Sequence, residues 1–120
     1  MIIKLVCEEN GVSNHGVGMW IAPAENKRVK EDMKEMYAQK LVEAIKAEQS
    51  PFFFYSEGIP EHKKVAKLTS EALREMLFDV SWYCSDNGLD DSNFQVVIVV
   101  PDDETEKFYR KSLKQMGIEV

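Results

Sequence analysis

Hydrophobic and polar positions change period several times along this chain, and each change marks an element. The longest unbroken apolar run is Val96-Val97-Ile98-Val99-Val100, all β-branched. Such a run reads as a strand buried on both faces, in the middle of an α/β sheet. Pro101 ends it. Helical spacing then takes over, with Phe108, Tyr109, Leu113 and Met116 on one side and Gly117 placed as a left-handed stop. Asp102 or Asp103 caps this helix, and Glu104 and Glu106 suit its positive end.

Reading from the start, Ile2 to Cys7 predicts a first strand, and Asn10-Gly11 predicts a turn. Gly16 to Ala22 predicts a second strand, which would form an N-terminal hairpin with the first. Val29, Met33, Met36, Tyr37, Leu41, Ala44 and Ile45 make one apolar stripe of a long helix from Asn26 to about Gln49. Ser50-Pro51 stops that helix. Phe52 to Tyr55 is a short aromatic strand, apolar on both sides, and a loop around Gly58-Ile59-Pro60 follows. Val65 to Leu68 reads as a brief extra strand. Thr69 then caps a helix running to about Ser85, with Leu68 and Leu73 as a hydrophobic staple. Ile118 to Val120 reads as a short last strand.

These elements predict a single α/β domain over residues 1–120. It has three helices and a mixed, mostly parallel sheet of about five strands, in the order β-β-α-β-α-β-α-β. The 120 residues suit one domain with a real core. No apolar run approaches the roughly 20 residues of a membrane span. The opening MIIKLVCEEN lacks the form of a signal peptide. Cys7 and Cys84 sit far apart inside apolar patterns and read as buried free thiols. These features together predict a cytoplasmic protein.

Charge adds an asymmetry. The chain holds 15 Lys/Arg against 21 Asp/Glu, a net charge of −6. This argues against nonspecific binding to nucleic acid or to anionic membranes. No base lies between Arg74 and Lys107, whereas nine acids fall from Glu75 to Glu106. The rest of the chain has 15 bases against 12 acids.

No catalytic signature occurs, so candidate chemistry rests on four constellations. If the first strand and the Val96–Val100 strand are parallel neighbours, Glu8, Glu9, Asp102 and Asp103 converge at the carboxyl end of the sheet. Four hard oxygen donors there suit Mg²⁺; the same acids also serve as a helix cap and solvated surface. The glycine-bearing loop before Trp20 offers Asn14 and His15 to a ligand, or is simply a turn. Lys27, Arg28 and Lys30 crowd a helix N-terminus, where a bound phosphate would explain them. Phe78 and Trp82 widen the apolar stripe of their helix beyond one sheet face. They belong either to a thick core or to an interface bordered by Asp90 and Asp91.

The preferred expectation is a non-catalytic, inhibitor-type binding protein, homodimeric or engaging a basic protein partner through its acidic, aromatic surface. It needs no cofactor. The alternative is a small enzyme or ligand-binding domain for a phosphorylated or nucleotide-like molecule, using Mg²⁺, with its pocket at the carboxyl ends of the strands.

Overall fold

The computed structural model describes residues 1–8 and 16–120. Its elements are β1 (Ile2–Cys7), β2 (Gly18–Trp20), α1 (Lys27–Lys46), β3 (Phe52–Tyr55), α2 (Lys63–Asp86), β4 (Gln95–Val100) and α3 (Asp103–Lys114). The four strands form one sheet in the order β1-β4-β3-β2, and every pairing is parallel. The α/β class and the three helices expected from the pattern are present. β4 is interior, and all five residues from Val96 to Val100 are buried. Parallel neighbours on each side and side chains on both faces account for the unbroken β-branched run.

Four expectations are corrected. β1 and β2 form no hairpin: they lie on opposite edges of the sheet and run parallel. No fifth strand forms at Ile118–Val120. Instead Gly117 adopts φ 75° and the Ile118 N–H closes onto the Leu113 carbonyl at 3.0 Å, which ends α3. Val65–Leu68 is not a strand but the opening of α2, so Thr69 lies inside that helix rather than capping it. Thr69 is buried because its hydroxyl has two partners. It donates to the Val65 carbonyl at 2.7 Å and accepts from the Ala24 N–H at 2.8 Å. A short polar side chain bonding back within its own helix is compatible with an interior position. The sheet, finally, is wholly parallel rather than mixed.

All three helices bury their stripes in one cluster, with Tyr37, Leu41, Leu73, Met76, Leu77, Val80, Tyr109 and Leu113 against Phe52, Phe54, Val96, Ile98 and Val100. Phe54, fully buried, meets Tyr37 edge-on at 5.7 Å and Phe52 at 5.1 Å. The opposite face carries Phe53, Tyr55, Val97 and Val99, and among the described residues no helix joins that cluster. Gly18 is required by close approach: a Cβ there would lie 2.2 Å from the Phe53 carbonyl oxygen. α1 and α2 are clamped by charge across their interface. Lys30 Nζ lies 2.8 Å from Glu75 and 3.2 Å from Glu71, and Lys34 lies 3.5 Å from Glu75. No helix among the described residues is long and apolar enough to cross a membrane.

Candidate functional site

Parallel strands bring the starts of the following helices to one end of a sheet, and the crevice at that end is where α/β proteins bind ligands. Here it is built from the segments after β3 and β4. The first segment extends the sheet by one bond, Ser56 N–H to the Val99 carbonyl at 2.9 Å. It then turns sharply. Gly58 adopts φ 132°, and its N–H donates to Ser56 Oγ at 3.1 Å. No atom crowds the position a Cβ would take at Gly58, so the glycine is there for its backbone angle and leaves the turn open to a ligand. Ile59, Pro60 and Glu61 follow, and His62 caps α2, its Nδ1 accepting from the Lys64 N–H at 3.3 Å. The first turn of α2 carries Lys63 and Lys64 and no acid.

The second segment is Pro101-Asp102. Asp102 accepts from the Thr105 N–H and hydroxyl, each at 2.7 Å, and so caps α3. The backbone donor first, and the hydroxyl after it, hold this carboxyl below its ordinary value. A group so depressed stabilises the fold fully above the unfolded carboxylate pKa of about 3.9. That contribution is lost as pH falls through the lower folded value. Asp102→Asn, which keeps an acceptor but no charge, should therefore show a smaller drop in urea midpoint between about pH 5 and pH 3 than the native chain. Equal drops would place the acid sensitivity elsewhere.

Between these segments lie two joined clefts. An outer one of about 450 Å³ is lined by Glu57, Gly58, Glu61, Asp102, Glu104 and Thr105. An inner one of about 260 Å³ reaches down past Ser56 and Pro23 to Thr69 and Tyr109. Tyr109 is 1% exposed, and its hydroxyl makes no hydrogen bond of good geometry among the described residues. Burial pushes its phenol far above the usual range, and a looser hydrogen-bond approach from the Ser56 hydroxyl opposes that more weakly. Ser56 turns its own hydroxyl to Gly58, donating to that carbonyl at 3.4 Å.

The sequence-derived sites are distributed differently from expectation. β1 and β4 are parallel neighbours, pairing Cys7 with Val100, so the premise of the carboxylate foursome holds. Asp102 is engaged as the cap of α3. Asp103 instead lies 3.9 Å from Cys7 Sγ, and with Glu106 these make a cluster whose donor atoms fall within 4.8 Å of one another. Glu8 continues the edge pairing through its N–H to the Val100 carbonyl at 2.8 Å. Glu9, Asn14 and His15 lie outside the described residues. Lys30 is explained by its ion pairs with α2, while Lys27 and Arg28 stay exposed beside the Asn26 cap.

Asp90 accepts from the Ser92 N–H and hydroxyl, and Asp91 pairs with the Met1 amino group at 3.3 Å. Both precede β4 and so lie at its amino end. The strand's six residues, about 20 Å, separate them from Asp102 and Asp103. Phe78 and Trp82 are 45% and 58% exposed, which corrects the thick-core alternative: the pair stands on the outer surface of α2.

The inner cleft was not legible beforehand. Tyr109 reads only as a core position on a helical stripe, and Ser56 and Gly58 read only as loop. The available signal was a glycine turn between an aromatic strand and a lysine-led helix. Comparison with protein-family models, with curated proteins and with solved structures gives no match.

Proposed function

We propose that the protein binds a phosphorylated, hydroxyl-bearing small molecule of nucleotide-like chemistry in the crevice at the carboxyl ends of β3 and β4. The observation that carries this is Tyr109 in the lining of the inner cleft, its hydroxyl buried and without a well-formed hydrogen bond among the described residues. A buried polar group left unmade costs about 1–3 kcal/mol. A ligand hydroxyl or ring nitrogen removes that cost. The rest of the crevice suits the other parts of such a molecule. Glu57, Glu61 and Glu104 accept from sugar hydroxyls or hold Mg²⁺ against a phosphate. The acid-free first turn of α2 and the open turn at Gly58 receive the anion.

The test is thermal unfolding with nucleoside mono- and diphosphates, with and without Mg²⁺. A ligand present at 100 times its Kd stabilises by about 2.7 kcal/mol, which raises the midpoint by several degrees. Glu57→Gln with Glu104→Gln, both on exposed positions of the outer cleft, should reduce the rise while leaving the circular dichroism spectrum native. A flat response across the panel overturns the reading, as does an unchanged response in that double variant.

A second reading rests on Phe78 and Trp82, which stack edge-on at 6.2 Å on exposed helix surface flanked by Asp79 and Asp86. An aromatic pair ringed by acids suits a basic protein partner or a second copy. A dimer in sedimentation that Trp82→Ser dissolves would assign the pair to self-association.

A further inference from the structure

Beside the crevice, the groove between α2 and α3 gathers four cations on this acidic protein. The groove encloses about 440 Å³. Its apolar floor is Ile59, Ala66 and Phe108, and its walls carry Lys63, Lys67, Arg74 and Lys111, with Glu61 the one acid in the lining.

The state of these cations is unlike that of the other bases facing helix interfaces. Lys30 and Lys34 are each held by two or more carboxylates within 4.0 Å. In the groove, Lys63 and Lys111 make no ion pair among the described residues. Lys67 is 77% exposed and reaches only to 4.0 Å of Glu71, whose other oxygen lies 3.2 Å from Lys30. Arg74 has neutral partners alone: Gln115 Oε1 at 2.6 Å and Ser112 Oγ at 3.4 Å through Nη1. Its Nε is buried and has no partner among the described residues. Holding four like charges around one groove costs Coulomb energy that an opposite charge would relieve.

We propose that the α2–α3 groove is the docking site of an acidic, amphipathic peptide segment of another protein. The apolar floor takes the anchoring side chains of a helix laid in the groove, and the walls take its carboxylates. Charge complementarity also selects the peptide over a nucleic-acid strand. The groove opens at one end onto the crevice rim with Glu57, Asp102 and Glu104. A phosphate backbone, charged along its whole length, would leave the basic walls there only to meet acid. A peptide can carry its acids in the middle alone. This site does not depend on the crevice ligand, because Lys67, Arg74 and Lys111 line the groove and neither cleft of the crevice.

The experiment uses fluorescence anisotropy on the whole chain. The probe is a labelled peptide about 14 residues (four turns) long, with Leu at helical spacing and Glu on the flanking positions of its two central turns. Its controls are the same peptide with Gln for Glu, and a labelled oligothymidylate. The Glu peptide should bind at least about tenfold more tightly than the Gln peptide, a difference near 1.4 kcal/mol. Its Kd should rise with salt. Lys67→Glu with Lys111→Glu should weaken it by a further tenfold or more at an unchanged unfolding midpoint, and nucleotide-induced stabilisation should be unaffected in that variant. Equal binding of the Glu and Gln peptides, tighter binding of the oligonucleotide, or undiminished binding by the double variant would each overturn the proposal. Absence of peptide binding would do the same.

Discussion

Phe54→Ala is expected to cost about 3–5 kcal/mol, the range for deleting a fully buried phenylalanine and leaving the cavity behind. Phe54 is 0% exposed in an interior strand, with Ile98 opposite it on β4 and Met19 opposite it on β2. Its ring also supports Tyr37, which is itself fully buried and accepts from the Ala22 N–H at 3.1 Å. The variant therefore loosens more than a side-chain contact: it frees the anchor by which the chain leaves β2 and enters α1. A domain of this size has about 5–15 kcal/mol in total, so the variant should be marginal at room temperature. Urea unfolding measures the loss directly. Phe54→Leu, which keeps most of the volume, should cost far less. If Phe54→Ala lowers stability by under about 1 kcal/mol, the site collapses to fill the cavity and the packing account of β3 is wrong.

Tyr109→Phe should act in the opposite direction. The ring is buried and packed, so removing only the hydroxyl leaves the cavity shape nearly intact. It also removes a polar atom that makes no well-formed hydrogen bond among the described residues. The ligand-free protein should gain about 1–3 kcal/mol in urea unfolding. The same substitution should weaken the nucleotide-like ligand about tenfold, because the hydrogen bond that satisfies the hydroxyl is lost. Higher stability with lower affinity is a combination that a purely structural tyrosine does not produce. A loss of stability would show that the hydroxyl is already satisfied in the free protein, and would remove the observation on which the crevice reading rests.

These two residues show how unevenly function could be read beforehand. Phe54 announces itself as core, since four consecutive aromatics in a short strand leave few alternatives. Tyr109 falls on a helical apolar stripe, and nothing in its spacing tells whether its hydroxyl finds a partner. The acidic segment from Glu75 to Glu106 is similar. Its composition suggests one working face, but β4 runs through its middle and sends Asp90–Asp91 and Asp102–Asp103 to opposite ends of the sheet. The segment's acids also have local duties. Asp102 caps a helix, Asp90 holds a turn, and Glu75 meets Lys30 across the α1–α2 interface. The basic groove is the converse case, because Lys63, Lys67, Arg74 and Lys111 are spread over the chain and become one surface only when α3 packs beside α2.

The sequence by itself determined what depends on neighbours a few residues apart. Period-3.6 stripes, with a cap at Asp102 or Asp103 for the last helix, specified α1 and α3, the β-branched run specified an interior β4, and Gly117 specified where α3 stops. These are local choices of backbone angle and face, and the residue types enforce them directly. Tertiary structure decided everything that depends on which edges and ends meet. It set β2 on the far side of the sheet from β1, turned Val65–Leu68 from an apparent strand into helix, and left Phe78 and Trp82 at the surface. It also closed a crevice over Tyr109. In each case the same local pattern satisfies more than one partner, and the parallel order β1-β4-β3-β2, fixed by burial of one shared core, selects among them.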